Sequence, residues 1–297
     1  MKELVKIAFN LTIVCVFAGA VLGLVNWGTQ QAKEANQHKR EVAISMSLLG
    51  FGPGNPAPPS LQMEVISRYL LEVDGKTALG YVVPKGDGKE LILLSLEGEK
   101  LMSMPAPDMA SADINNILSQ ALAGRPVANV SHVEDYQVAV ENGAIKGYLI
   151  TANNQGFKTN IKMMVSLNAD FSLRGIAILE HEEDPGLGAE AVEPYFKNQF
   201  VGKTAAQLAK IQVVTTPQPD DYRKLLASEP DGHFNTEDMT VLIEQYGDSP
   251  IYSITGSTIS SKAVTVGVQK AVARFAARLQ ILNAVMNLDA ASATEEG

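Results

Sequence analysis

The chain has 297 residues, 46% of them hydrophobic, with 33 acidic against 24 basic side chains and a formal net charge of −9. That apolar content can bury the cores of one or two modest domains. The acidic balance excludes a nucleic-acid binder, which presents a basic surface, and a single cysteine excludes an internal disulfide. Cys15 lies in an apolar run where a small thiol packs, and Val14 stands where a lipid-acceptor cysteine would want a small residue.

Residues 7–25 are apolar except for Asn10 and Thr12, and a helix of roughly 20 such residues crosses about 30 Å of hydrocarbon. Trp27 follows at the place of a lipid–water boundary. Gly19 and Gly23 form a small-residue pair on one face of that helix. Lys2 and Lys6 favour a cytoplasmic N-terminus over the competing Lys33, Lys39 and Arg40. Ala18-Gly19-Ala20 resembles a processing site, but the apolar run continues to Val25, so the expectation is a retained anchor with the rest outside the cytoplasm.

Residues 29–49 read as a polar helix with apolar points at Val42, Met46 and Leu49, and the Gly/Pro-rich stretch 50–59 reads as a linker. Strand-like runs at 69–73, 79–83 and 91–96 are separated by Asp74-Gly75, Gly86-Asp87-Gly88 and Glu97-Gly98, which are hairpin signals because these residues tolerate positive φ. The pattern from Tyr69 to Gly80-Tyr81 returns from Tyr136 to Gly147-Tyr148, with the turn glycine displaced by one position. It is either a duplicated hairpin or two ordinary hairpins of similar chemistry. Between them, Ser111 is placed to cap a helix through Ile114, Ile117 and Leu118 to Gly124. A third hairpin joins 161–167 to 173–179 through Asn168-Ala169-Asp170, and a helix is expected around 192–200. The expected organisation is a stub and anchor over 1–28, a helix and linker over 29–60, an enlarged hairpin-rich region over 61–130, a domain over 131–288 and a flexible acidic tail over 289–297.

Near the C-terminus, Val264, Val268, Val272, Phe275, Leu279, Leu282 and Met286 recur in steps of three or four, the signature of an amphipathic helix facing a core. Lys270, Arg274 and Arg278 fall on another, solvated face. Ile254-Thr255-Gly256-Ser257-Thr258-Ile259-Ser260-Ser261-Lys262 immediately precedes this helix. Unpaired amides and the positive end of the dipole make such a place favourable for a phosphate. Ser and Thr are equally the preferred helix caps, so the residues alone leave both readings open. His181-Glu182-Glu183-Asp184-Pro185-Gly186-Leu187-Gly188 is the other distinctive segment. Its His and carboxylates suggest a metal until the spacing is considered. His38, His132 and His233 are isolated, so no metal site is expected.

Thr255-Gly256-Ser257-Thr258 resembles the flavinylation motif of the FMN-binding domain family, with Ser257 at the family's alanine and Ser260 supplying the hydroxyl two places on. The loop 181–188 resembles the family's His-x-Glu-Thr-Pro-Gly-Leu-Gly loop, with Asp184 at its threonine. The resemblance implies an α+β fold: a transmembrane helix followed by a mixed or antiparallel-sheet FMN-binding domain with flanking helices. It implies FMN joined to Thr258 as a phosphoester by a flavin transferase that uses FAD as donor. The rest of the cofactor site would be Thr255, Gly256, Ser257, Ser260, Ser261, Glu183, Asp184, Gly186, Leu187 and Gly188. The order of anchor, sheet, glycine loop and hydroxyl motif is similar to the G subunits of Rnf electron transport complexes, and next to the C subunits of sodium-translocating NADH:quinone reductases. Such a chain relays electrons in ferredoxin- and NAD-linked ion translocation and has no catalytic triad of its own. Its partners would be other membrane subunits of the complex. A flavin-binding membrane sensor and a structural subunit without flavin are the other readings.

Overall fold

A computed structural model describes residues 2–230 and 232–295. Its elements run α1 (Lys2–Leu48), β1 (Leu61–Val73), β2 (Lys76–Lys85), β3 (Gly88–Ser95), β4 (Lys100–Pro105), α2 (Ile114–Ala121), β5 (Val127–Glu141), β6 (Ala144–Gln155), β7 (Asn160–Leu167) and β8 (Leu173–Glu180). Shorter elements follow: α3 (Pro194–Lys197), α4 (Ala205–Lys210), β9 (Val213–Val214), α5 (Asp220–Ser228), α6 (Thr236–Tyr246) and β10 (Ile251–Tyr252). The long α7 (Thr258–Glu295) closes the chain. The fold is therefore α+β, with an N-terminal apolar helix and an antiparallel-sheet domain. Residues 1–46 and 47–297 form two compact units.

α1 is long and apolar enough to cross a membrane, and Phe9, Leu22 and Trp27 on it are exposed. The sequence suggested an anchor and then a separate polar helix. Instead the 47 residues are one helix, because nothing between Gly28 and Leu48 breaks the ladder and the positions around Ala32 to Ala43 are mostly good helix formers. The helix ends at Gly50, whose φ of +91° suits a residue without Cβ. There Arg174 donates from Nη1 to the Leu49 carbonyl at 3.1 Å and from Nη2 to the Lys146 carbonyl at 2.9 Å. His233 Nε2 also bonds the Ser47 carbonyl.

Eight strands form one antiparallel sheet in the order β4-β3-β2-β1-β5-β6-β7-β8. The sheet continues without a break from the hairpin-rich region into the segment after residue 131, since β1 pairs along its length with β5. The expected turns are present: Asp74 and Gly75 have φ of 53° and 71°, and Asn142 and Gly143 have 52° and 77°, the mirror-image turns that match strand twist. The two resembling hairpins lie side by side as β2-β1-β5-β6. Tyr81 and Tyr148 point to the same core, but Tyr69 and Tyr136 point to opposite faces. The bulge at Ala139/Val140 in the β5–β6 pair causes this, because one extra residue reverses the faces beyond it, whereas β1 and β2 pair without a bulge.

One face of the sheet packs against α7, where Val264, Val268, Val272, Phe275, Leu279 and Leu282 are buried. The inward residue after Leu282 is Val285 at 6% exposure, while Met286 is 37% exposed; a step of three follows the helix phase there. α7 extends to Glu295. The opposite face over β1–β3 carries a smaller core closed by Ile114, Leu118 and Leu122 of the α2 region. Ser111 does not cap α2. It accepts from the Asp113 amide in the preceding turn, and Asp113 occupies the cap position without a side-chain bond. The region expected as one helix around 192–200 is split into short turns and α3, with Pro194 in its first turn. α4–α6 fill the polar stretch before residue 251.

Phe275 is 2% exposed and meets the rings of Tyr136, Tyr148 and Phe171. Phe275→Ala is expected to lower unfolding stability by about 3–5 kcal/mol, read as a shift in the denaturation midpoint; a loss below about 1 kcal/mol would contradict this packing.

Lys203 is 1% exposed and donates to the carbonyls of Tyr246, Gly247 and Ser249 at 3.1, 2.8 and 3.1 Å, closing the end of α6. Burial pushes its pKa down to about 8 from the ordinary 10.5. Between those values the unfolded chain holds the proton that the folded chain has released, so stability rises with pH. Above pH 10 the phenols of Tyr136 and Tyr222, pushed up by burial, act in the opposite sense. The wild-type denaturant midpoint should therefore climb between pH 8 and 10 and stay level in Lys203→Met; a wild-type midpoint that falls over that range would refute the assignment.

Candidate functional site

Three segments meet at the first turn of α7. The first is the turn between β6 and β7, closed by the Gly156 amide donating to the Thr159 carbonyl at 2.8 Å. The second is the loop 181–188 that leaves β8. Its backbone folds on itself, with the amides of Leu187 and Ala189 both donating to the Asp184 carbonyl at 3.1 Å and Gly186 at φ +72°. The third is the entry to α7 itself, where Gly256 has φ +74° and the Ser257 amide donates to the Ile254 carbonyl at 2.9 Å. The first ladder bond of α7 runs from the Ser261 amide to the Ser257 carbonyl. The amides of Thr258, Ile259 and Ser260 therefore lie in the turn that has no preceding carbonyls to bond.

The hydroxyls of this turn divide into two sets. Ser261 is fully buried; its Oγ accepts from the Ile254 amide at 3.0 Å and donates to the Ser257 carbonyl at 2.9 Å. Ser260 is fully buried too and donates to Glu183 Oε2, while Ser257 Oγ donates to Ser260 Oγ at 2.9 Å. Thr258 is half-buried and Thr255 exposed, and neither makes a side-chain hydrogen bond with the described residues. Thr258 is thus the hydroxyl of the α7 turn that both reaches the surface of the site and is not engaged within the protein.

A cavity of about 330 Å³ lies between Thr258, Gly256 and Ile259 on one side and Phe157, Leu187 and Gly188 on the other. That volume is at the lower end of small-molecule sites, roughly 300–1,000 Å³. Phe157, Leu187 and Ile259 are 61%, 40% and 55% exposed, so large apolar groups surround the opening. The Gly256 backbone lies close to the Leu187 side chain: a Cβ on Gly256 would be 3.0 Å from Leu187 Cδ2. Glycine is needed there twice over, for its positive φ and for that approach. Asp184 also lines the cavity and accepts from Lys158 Nζ at 2.5 Å; that hydrogen bond to the Asp184 carboxylate holds the Lys158 ammonium above its ordinary pKa. His181 sits further back, its Nδ1 accepting from the Glu183 amide at 3.3 Å, which places its proton on Nε2.

Of the residues singled out from the sequence, Glu183, Asp184, Leu187, Gly188, Gly256, Ser257, Thr258 and Ser260 line this cavity, while Gly186, Thr255 and Ser261 do not. Phe157 was not among those singled out. The signal available was a large aromatic directly after glycine in an otherwise polar turn, Asn153-Asn154-Gln155-Gly156-Phe157-Lys158.

The model of the FMN-binding domain matches residues 156–273, from the Gly156 turn through the first four turns of α7. The chain is 30% identical over 205 residues to the C subunit of the Na(+)-translocating NADH-quinone reductase of Yersinia pestis, covering 65% of this chain and 67% of that protein. The chain belongs to the FMN-binding domain family. Both segments that carry the resemblance in sequence fall inside the matched region of this FMN-binding domain. It is also 27% identical over 161 residues to the G subunit of the Na(+)-translocating ferredoxin:NAD(+) oxidoreductase complex of Acetobacterium woodii, over 54% of this chain and 62% of that one. This chain spans about three fifths of the length of that relative and of its Clostridium ljungdahlii counterpart, 62% and 60%. The crystal structure of Shewanella oneidensis NqrC aligns with a TM-score of 0.38 at 14% identity, over 80% of this chain and 89% of that one.

Proposed function

We propose that the chain is a membrane-anchored electron-transfer subunit of an Rnf-type complex, carrying FMN through a phosphoester on Thr258. The observation that supports this reading best is that Thr258, and no other hydroxyl of the α7 turn, lines the cavity while making no side-chain hydrogen bond with the described residues. The residues present suit the cofactor. A phosphate on Thr258 lies at the N-terminus of a long helix, whose first amides and dipole favour an anion. Phe157, Leu187 and Ile259 offer apolar surface to a planar ring. In the attachment step the Thr258 Oγ–phosphorus bond forms, the pyrophosphate bond of FAD breaks, AMP leaves and the hydroxyl gives up its proton. A flavin transferase performs that step.

When bound, the isoalloxazine ring supplies the redox chemistry, and the protein positions it and shapes its surroundings. The partners are then other membrane subunits of the same complex, α1 being the anchor. A second reading, the C-type subunit of a sodium-translocating NADH:quinone reductase, is favoured by the identity and coverage of the Yersinia pestis relative.

The deciding experiment is intact mass with in-gel flavin fluorescence of the chain made beside a flavin transferase, with Thr258→Ala in parallel. One FMN moiety that survives denaturation in the wild type and is missing from the variant is the expected result. An unmodified wild type, beside a control substrate that is modified, would remove the covalent reading. The domain after α1 is placed outside the cytoplasm on the charges flanking the helix. A reporter fused after Gly297 should then be active only in that compartment, and cytoplasmic activity would reverse the topology.

A further inference from the structure

Glu183 is 6% exposed, and both of its carboxylate oxygens are bonded within the protein. Oε1 accepts from the Lys158 backbone amide at 3.1 Å, and Oε2 accepts from the Ser260 hydroxyl. Ser260 in turn accepts from Ser257 at 2.9 Å. Two glycines make the room. A Cβ on Gly156 would stand 2.5 Å from Oε1, and one on Gly188 would stand 2.6 Å from Oε2 and 2.5 Å from Ser260 Oγ. No real side chain tolerates such distances, so the carboxylate occupies a socket whose walls are the backbone of two segments and the first turn of α7.

We propose that Glu183 is a positioning residue: it ties the 156–158 turn and the 181–188 loop to the N-terminus of α7 and so holds the Thr258 hydroxyl at the cavity. This rests on the reading of the cavity as the flavin site, but the tie is a property of the polypeptide alone. A carboxylate suits the place because it only accepts, and both neighbours donate. A buried donor whose acceptor is removed bears its full desolvation cost. Glutamine is a discriminating replacement. Its carbonyl can take the Lys158 amide, and its NH₂ can donate to Ser260, whose hydroxyl turns to donate to Ser257. The chain of bonds survives with its direction reversed. Alanine leaves the Lys158 amide and the Ser260 hydroxyl without an acceptor.

The test uses the full-length chain in detergent, first without flavin. Amide hydrogen exchange is followed in 156–159 and 257–261, with β7 amides as the internal reference for global unfolding. Glu183→Ala and Gly188→Ala should both speed exchange in the two segments by about tenfold or more, the size expected for stranded buried donors. Glu183→Gln should stay close to wild type, and β7 should not change in any of the three. When the chain without flavin is then given FAD and a flavin transferase, adduct formation on Thr258 should be slowed by Glu183→Ala and rescued by Glu183→Gln. Unchanged exchange in Glu183→Ala, or a Glu183→Gln that exchanges as fast as Glu183→Ala, would overturn the proposal. If the wild type accepts no flavin, the reading of the site fails, while the exchange data still decide whether the tie exists.

Discussion

The burial of α7 against the sheet fixes the position of the whole site. From Val264 to Leu282 the helix lays one stripe of branched and aromatic side chains on the face formed by β5–β8, and its axis and rotation are set by that packing. Each fully buried side chain of this kind contributes about 1.5–3 kcal/mol, so the stripe outweighs any preference of the polar first turn. The first turn goes where the stripe puts it. Ile251 and Ile254, both buried in the same core, fix the approach to that turn from the other side. What remains adjustable is confined to the loops that come to meet it.

Helical phase explains which hydroxyls face the cavity. Ser260 and Ser261 lie one turn before Val264 and Thr265, which are buried, so they must turn inward. Thr258 lies one turn before Lys262, which is exposed, and looks outward past Ser257. A rigid helix thereby separates hydroxyls that hold the backbone from one that is available for chemistry, although all of them are small, polar and adjacent in sequence. The Lys158–Asp184 pair at the rim has less weight. Both groups are more than a third exposed, and such pairs contribute about 0–1 kcal/mol.

Much of this was legible in the sequence where a short-range rule governs it. The turns Asp74-Gly75 and Asn142-Gly143 adopt positive φ as their residue types require, and the stripe of α7 follows from its period. The inward aim of Ser260 and Ser261 was also available from that period, since both are in phase with the stripe. The helices before residue 251 carried readable caps: Thr204 and Gln207 form a reciprocal capping box, and Asn235 accepts from the Asp238 amide. Their weak apolar patterning hid them. The partners of Glu183 could not be read, because they depend on which loops the sheet brings together, and no local periodicity encodes that. The continuity of α1 was hidden for another reason: composition changes at Gly28, but a helix ladder needs no change of course when its solvent changes.

The strand order has a consequence for how the protein is made. Every neighbouring pair in the sheet is a hairpin of consecutive strands except β1 with β5, whose partners are 54 residues apart at Val73 and Val127 (127 − 73) and 80 apart at Leu61 and Glu141 (141 − 61). The sheet is thus two meanders joined along one seam. Each meander can zip up through local turns at low closure cost, while the seam bears the long-range term. During synthesis β1–β4 emerges first, with the 13 residues of β1 as an open edge and no β5 yet available to cover it. An unpaired edge of that length invites pairing with another chain. The interval between the appearance of β1 and the arrival of β5 is therefore the stage at which this protein is most exposed to aggregation.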